Sequence, residues 1–304
     1  MYGTKLALSC KFTHFPQYFM YPLILLQQLI ASSTHLFAKN VTMLIHPSTV
    51  VFFRGCFSAI VYGLWIFIAR KQLKTIDRAD IPWFFLLGAL NMPINQLLFI
   101  WGVKYTTPAN ASLAYALTPA FVLLIAVLFL GESLTKKKGI GIILAMIGTF
   151  IVLFERGLAF GSEQFVGNIM VLLASMSWAV YTSLGKKYAM KYGGVFMTGI
   201  TMITGLLLYL PVIVLLPVSI DPLVYTGGMW FQLFYLGVIT SGLGYALWYV
   251  ALTRMEASKL AVFNNIQPVL TTIMAFFLFN TIPTETFLIG AFVAICGVII
   301  TQKG

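Results

Sequence analysis

Ten apolar runs of about twenty residues follow one another along the chain, and no other feature constrains its fold as strongly. A helix rising 1.5 Å per residue needs about 20 apolar residues to cross a hydrocarbon core of about 30 Å. Such runs fall at 20–38, 48–69, 81–103, 109–130, 138–154, 167–185, 195–216, 229–250, 257–279 and 284–301. Within lipid the backbone must satisfy its own hydrogen bonds, so each run reads as a helix. The chain is 60% hydrophobic and 9% charged, with a mean hydropathy of +0.94. A soluble domain would carry about a quarter charged residues. The expected class is therefore an all-α integral membrane protein, with no room left for a soluble domain.

The net charge of +11 does not point to nucleic acid, because the basic residues sit in short loops between apolar runs, where they set topology. Fifteen of the 19 Lys and Arg residues fall on one side: Lys5, Lys11, Arg70, Lys71, Lys74, Arg78, Lys136, Lys137, Lys138, Lys186, Lys187, Lys191, Arg254, Lys259 and Lys303. Lys39, Lys104 and Arg156 fall on the other, and Arg54 lies inside a span. Both termini are expected in the cytoplasm, with the chain in the plasma membrane and residues 1–17 as a cytoplasmic leader. Cys10, Cys56 and Cys296 have neither paired nor metal-like spacing, so no metal or cofactor is expected.

The chain also repeats itself. Shifted by about 149 residues, Pro119 meets Pro268, Ala126 meets Ala275, Gly141 meets Gly290, Ala145 meets Ala294 and Gly148 meets Gly297. Small residues at shared positions would also arise from close helix packing alone. Two units are expected, 1–155 and 156–304. Five spans per unit is an odd number, so the second unit enters the membrane from the opposite side. The result is ten transmembrane helices as two inverted five-helix repeats, the architecture of secondary transporters whose solute site lies between the halves near the midplane.

The stretch Ala111 to Pro119 leading into Phe129-Leu130-Gly131-Glu132, with Gly139, Gly141 and Gly148 in the fifth span and Gly290 and Gly297 in the tenth, resembles the EamA family of the drug/metabolite transporter superfamily. The resemblance covers nearly the whole chain. It implies a ten-helix basket with both termini inside, a central cavity lined from both repeats, and movement of small metabolites such as amino acids, commonly outward. Many members carry an acidic loop signature in both repeats, whereas Gly131-Glu132 is answered here by Asn280-Thr281. Glu132 is accordingly expected to play a structural role at a helix end.

Polar side chains within spans are costly in lipid and should face a cavity or another helix. Gln28, Ser32, His35 and Lys39 recur at helical spacing and are expected to form a cavity wall, although Ser32 alone would serve equally as an interhelical hydrogen bonder. Asn91 and Asn95 flank Pro93, and Asn264, Gln267, Pro268 and Thr271 share nearly one face of the ninth span. Tyr115 is expected where repeat symmetry places Asn264. Each of these reads either as cavity lining or as packing. Ser177 and Tyr181, and Ser241, Tyr245 and Trp248, are expected to orient an amphipathic solute with hydroxyl and indole tips. Arg54 either binds a substrate carboxylate or snorkels outward.

All eight carboxylates, at 77, 80, 132, 155, 163, 221, 256 and 285, fall in loops or at span ends. No buried acid offers a proton relay, which points to facilitative or exchange transport and leaves His35 as the group on which any proton coupling would depend. The three histidines, at 14, 35 and 46, have no acidic neighbours for catalysis, and no phosphate-binding glycine loop is present. These absences argue against a membrane enzyme and an ATP-driven pump. A sugar phosphate or nucleotide sugar would favour two or more cations in the cavity. With Arg54 the one secure candidate, neutral, zwitterionic or aromatic metabolites rank above organic phosphates. The partners expected are a small-molecule solute and the bilayer.

Overall fold

The computed structural model describes residues 20–106, 108–155, 162–219, 221–279 and 284–304. Among them there is no strand, and the chain forms ten helical units. They are α1 (Met20–Thr42), α2 (Pro47–Ala69), α3 (81–105), α4 (108–129), α5 (Lys136–Glu155), α6 (Ser162–Tyr192), α7 (Gly194–Leu215), α8 (Gly227–Leu252), α9 (257–279) and α10 (Glu285–Gln302). Five described helices are by themselves long and apolar enough to cross a membrane, those over Pro47–Ala69, Arg78–Tyr105, Phe165–Tyr192, Gly194–Leu215 and Gly227–Leu252. The others are interrupted, shorter, or diluted by polar residues such as the glutamines and serines of α1 and the lysines that open α5.

Most expected spans agree with these helices to within two residues. Helix α6 is the main departure. It runs 31 residues, about 46 Å at 1.5 Å per residue, longer than the hydrocarbon core. Its end carries Lys186, Lys187 and Lys191, and it stops at Gly193, whose φ of 93° suits glycine.

Four helices break regularity, and they do so in matched pairs. Helix α4 is split at Leu117, next to Pro119, into Pro108–Ala116 and Thr118–Phe129. Helix α9 winds into a 3₁₀ turn over Val262–Ile266, just before Pro268. Leu117 and Ile266 are 149 residues apart, so the break belongs to the repeated unit. Helices α3 and α8 each contain a π segment, Leu90–Gln96 around Pro93 and Tyr235–Gly244. Proline removes a donor and crowds the preceding turn. The second π segment has no proline, and its carbonyls find other donors: Tyr62 Oη reaches the Gly242 carbonyl at 2.5 Å. Irregular backbone at membrane depth is tolerated where it is buried in protein or lines a cavity.

The crossing of α5 and α10 gives the direction of the repeats. A Cβ on Gly141 would lie 2.8 Å from the Gly297 carbonyl oxygen, and one on Gly148 would lie 2.5 Å from the Gly290 carbonyl oxygen. Residue numbers rise along α5 as they fall along α10, so these equivalent helices run antiparallel, as inverted units require. Each also presents to the other the position it receives, in the manner of a two-fold contact.

Two apolar clusters bracket the interior. One includes Phe84, Tyr192, Phe196 and Leu260 toward the lysine-rich end, and the other includes Val41, Val50, Ile100 and Tyr209 toward the opposite end. Buried polar side chains of α1, α2, α3, α8 and α9 occupy the level between.

Among the described residues, every ion pair joins the first half of the chain to the second, and all sit at the lysine-rich end: Lys138 with Glu256, Lys186 with Glu132, and Lys191 with Asp77 and Asp80. Glu132 follows the left-handed turn at Gly131 and accepts from the Ala257 N–H at 2.6 Å and from Ser258 Oγ at 2.5 Å, capping the start of α9. Burial raises its carboxyl, but the hydrogen bonds from Ser258 and Ala257 and the nearby Lys186 ammonium outweigh that and hold it below its ordinary value. Its structural role therefore joins the two halves. The Asn280 and Thr281 positions lie outside the described residues. At the other end the cross-half contacts are neutral, as in Tyr209 Oη to the Ser48 carbonyl at 3.0 Å and Ser219 N–H to Thr49 Oγ1 at 3.1 Å.

Candidate functional site

A central cavity opens between the two apolar clusters, walled by seven helices from both halves. Its room for the centres of water-sized molecules is about 60 Å³ within about 550 Å³ of empty space. At roughly 10–15 Å³ per water centre this is space for about five waters, and hence for a small solute.

Arg54 supplies the formal charge. It is 2% exposed, so it faces inward instead of snorkelling. Its Nε donates to Ser241 Oγ at 2.5 Å, and its guanidinium lies 5.9 Å from the centroid of the Tyr245 ring. No carboxylate pairs with it among the described residues. Ser241 comes from the π segment of α8, so the unwound backbone positions the acceptor of the buried cation.

Asn95 occupies the equivalent irregular stretch of α3. Its Nδ2 donates to the Ala174 carbonyl at 2.7 Å and to Tyr115 Oη at 2.9 Å, while Tyr245 Oη approaches its Oδ1 at 3.5 Å. The Tyr245–Asn95–Tyr115 bridge thus connects helices of both halves. Trp178 from α6 lies against Tyr245 with centroids 4.8 Å apart and the rings tilted by 54°, and Phe99 stands edge-on to Tyr115 at 5.6 Å. The wall around this bridge is accordingly aromatic.

A second polar network ties α1 to α9. Gln28 Nε2 and Gln267 Nε2 both donate to Asn264 Oδ1 at 3.2 Å, His35 Nε2 meets Gln267 Oε1 at 3.2 Å, and Ser32 Oγ donates to the Gln28 carbonyl at 2.7 Å. The 3₁₀ turn before Pro268 sets the angle at which Asn264 and Gln267 meet α1.

Of the residues expected from sequence, His35, Arg54, Asn95, Tyr115, Tyr245, Asn264 and Gln267 line the cavity. The other five lie outside its wall. Gln28 and Ser32 are fully buried in the α1–α9 interface. Asn91 turns toward α7, with Nδ2 3.3 Å from Met202 Sδ and Oδ1 accepting from Gln96. Tyr181 Oη meets Thr201 at 2.8 Å, and Trp248 Nε1 donates to Thr182 at 3.2 Å. Lys39, on the same stripe of α1, instead caps the end of α3. Its Nζ donates to the carbonyls of Val103, Lys104 and Thr106 at 3.1, 3.0 and 2.9 Å. Ser177 donates to the Leu90 carbonyl at 2.8 Å, beside the π segment.

Gln27, Thr34, Phe99, Trp178 and Thr240 also line the cavity and were not expected. Gln27, Ala31 and Thr34 are spaced four and three apart, the same period as the stripe of Gln28, Ser32 and His35, but one residue around the helix. Ala31 breaks the polar pattern and hides that face. Among the described residues no cluster of three or more His, Cys, Asp or Glu is placed to hold a metal.

A family model described as the EamA-like transporter family matches twice, over residues 18–154 and 165–302. An uncharacterized transporter of Archaeoglobus fulgidus is 28% identical, covering 92% of this chain and 96% of its own. A probable terminal-alkyne amino-acid exporter of Streptantibioticus cattleyicolor is 27% identical over 74% of each chain. An S-adenosylmethionine uptake transporter of Rickettsia felis is 25% identical, covering 89% of this chain and 88% of its own.

Proposed function

The chain belongs to the EamA-like transporter family, and on that premise we propose that it is a gradient-independent carrier of amino acids or closely related zwitterions, working by alternating access around the central cavity. The observation that carries this reading is Arg54, buried and without an acid partner among the described residues, in a cavity walled by both halves. An arginine held within a membrane span costs about 3 kcal/mol or more. A substrate carboxylate offers it a bidentate partner. Both substrates named for the relatives, an amino acid and S-adenosylmethionine, carry an amino-acid head group. One of those relatives is named for export and the other for uptake, so direction is left to the solute gradients.

In this reading units 1–155 and 156–304 are the two bodies that rock, both termini lie in the cytoplasm, and the host is the plasma membrane. The cytoplasmic gate is the ionic set around Glu132, Lys138 and Lys191, and the outer gate is the neutral set around Ser48 and Tyr209. Among the described residues no carboxylate lines the cavity, in keeping with exchange without an obligatory proton. Organic phosphates fit less well, because Lys39 is committed to capping α3 and, among the described residues, Arg54 is the one Lys or Arg in the wall.

Counterflow in proteoliposomes tests this, with labelled amino acid outside, unlabelled solute inside and no ion gradient. Saturable exchange with amino acids is expected, and Arg54→Gln should abolish it. Exchange with phosphate esters and none with amino acids would overturn the assignment.

A further inference from the structure

We propose that His35 is the ammonium acceptor of the solute site, so that the carrier discriminates an α-amino acid from the same acid lacking its amino group. This rests on the cavity being the solute site. The imidazole's roles follow from the orientation of the Gln267 amide. Gln267 Nε2 is committed as donor to Asn264 Oδ1, which places Gln267 Oε1 against His35 Nε2 at 3.2 Å. An amide oxygen only accepts, so Nε2 carries the proton of the neutral ring and Nδ1 is left as a bare acceptor. His35 is 3% exposed, and Nδ1 is a buried atom with no hydrogen-bond partner. An unmet buried acceptor of this kind calls for an occupant.

Its surroundings favour a cation. The Phe99 ring lies 5.3 Å and the Tyr115 ring 6.0 Å from the imidazole, inclined to it by 73° and 75°, and an ammonium that meets the face of such a ring is attracted to it. A relay of contacts links the position to Arg54. The guanidinium sits by Tyr245, Tyr245 reaches Asn95, Asn95 reaches Tyr115, and His35 lies beyond Tyr115. The cavity therefore has a cationic pole at Arg54 and an acceptor pole at His35, joined by the Tyr245–Asn95–Tyr115 bridge. A zwitterion with its carboxylate at the first and its ammonium at the second would meet both.

The test is competition for labelled L-alanine counterflow by L-alanine, by propionate, which lacks the ammonium, and by ethylamine, which lacks the carboxylate. In the wild type, propionate should compete about tenfold or more weakly than alanine, the weight of one hydrogen bond to a charged group. His35→Phe, with an apolar ring of similar shape, should bring the two within about twofold by weakening alanine and leaving propionate unchanged. His35→Asn, whose side-chain oxygen can stand near the place of Nδ1, should restore part of the preference. Equal competition by alanine and propionate in the wild type would overturn the inference while leaving the amino-acid reading intact. So would a preference lost in Gln27→Leu but kept in His35→Phe, since among the described residues Gln27 Oε1 is the other unpartnered acceptor of the wall. Absence of any alanine exchange would overturn the amino-acid reading and this inference together.

Discussion

Replacing Gly148 with alanine should loosen the contact that joins the two repeats, and the size of the effect follows from the crossing of α5 and α10. The added Cβ would lie 2.2 Å from Ala294 N and 2.5 Å from the Gly290 carbonyl oxygen. Ordinary contact begins at 3.4 Å, so the helices must part by about 1 Å, because the obstructing atoms are backbone and no rotamer relieves them. Overpacking of this kind costs about 1–3 kcal/mol. At about 2 °C per kcal/mol for a chain of this length, the melting temperature of the detergent-solubilised protein should fall by about 2–6 °C. Gly139→Ala, about two and a half turns earlier on the same helix and with nothing within 4 Å, should gain helix propensity of up to ~1 kcal/mol and melt slightly higher. Gly297→Ala meets Ala145 N at 2.3 Å across the same seam. The double variant should then lose less than the sum, since one parting of the helices accommodates both methyl groups. Equal melting of Gly148→Ala and Gly139→Ala would refute this account of the repeat interface.

Three further outcomes are expected. Glu132 has a depressed carboxyl, so its contribution is complete above its ordinary value of 4.5 and is lost as pH falls through the lower folded value. Wild-type melting temperature should therefore drop below about pH 4.5 by a margin that Glu132→Gln does not show. Lys39→Met leaves three carbonyls at the end of α3 without their donor and should cost about 1–3 kcal/mol, read as a lower melting temperature with exchange retained in the folded fraction. Asn95→Ala removes the centre of the Tyr245–Asn95–Tyr115 bridge and should reduce exchange severalfold without reducing expression. Wild-type exchange would remove Asn95 from the site.

The fold was legible in the sequence because lipid leaves few choices. Apolar length, loop charge and the 149-residue echo each bear on the same ten-helix plan, and Gly141, Ala145, Gly148, Gly290, Ala294 and Gly297 meet in the structure as that echo implies. The site was legible only in part. Polarity within a span says that a side chain avoids lipid, not which neighbour it faces. Gln28 and Gln27 are adjacent in sequence, yet the first faces Asn264 and the second the cavity. Asn91 and Asn95 share a helical face in a regular helix, but the π segment between them shifts the register, and Asn91 turns to Met202. Proline signalled the breaks at Leu117 and before Pro268. The π segment of α8 has no proline, and its sequence carried no comparable mark. Thr34, Trp178 and Phe99 carry no such signal, because single polar or aromatic residues inside apolar runs ordinarily pack.

The most direct test of alternating access at this cavity is the accessibility of one position in its wall. Ala31→Cys, in a background with Cys10, Cys56 and Cys296 replaced by serine or alanine, places a thiol among the lining residues of α1. Reconstituted protein would be treated with a membrane-impermeant maleimide from each side in turn, with and without saturating amino acid. The account predicts labelling from both sides and protection by the amino acid on each. Labelling from one side only, or labelling that the amino acid does not slow, would contradict it.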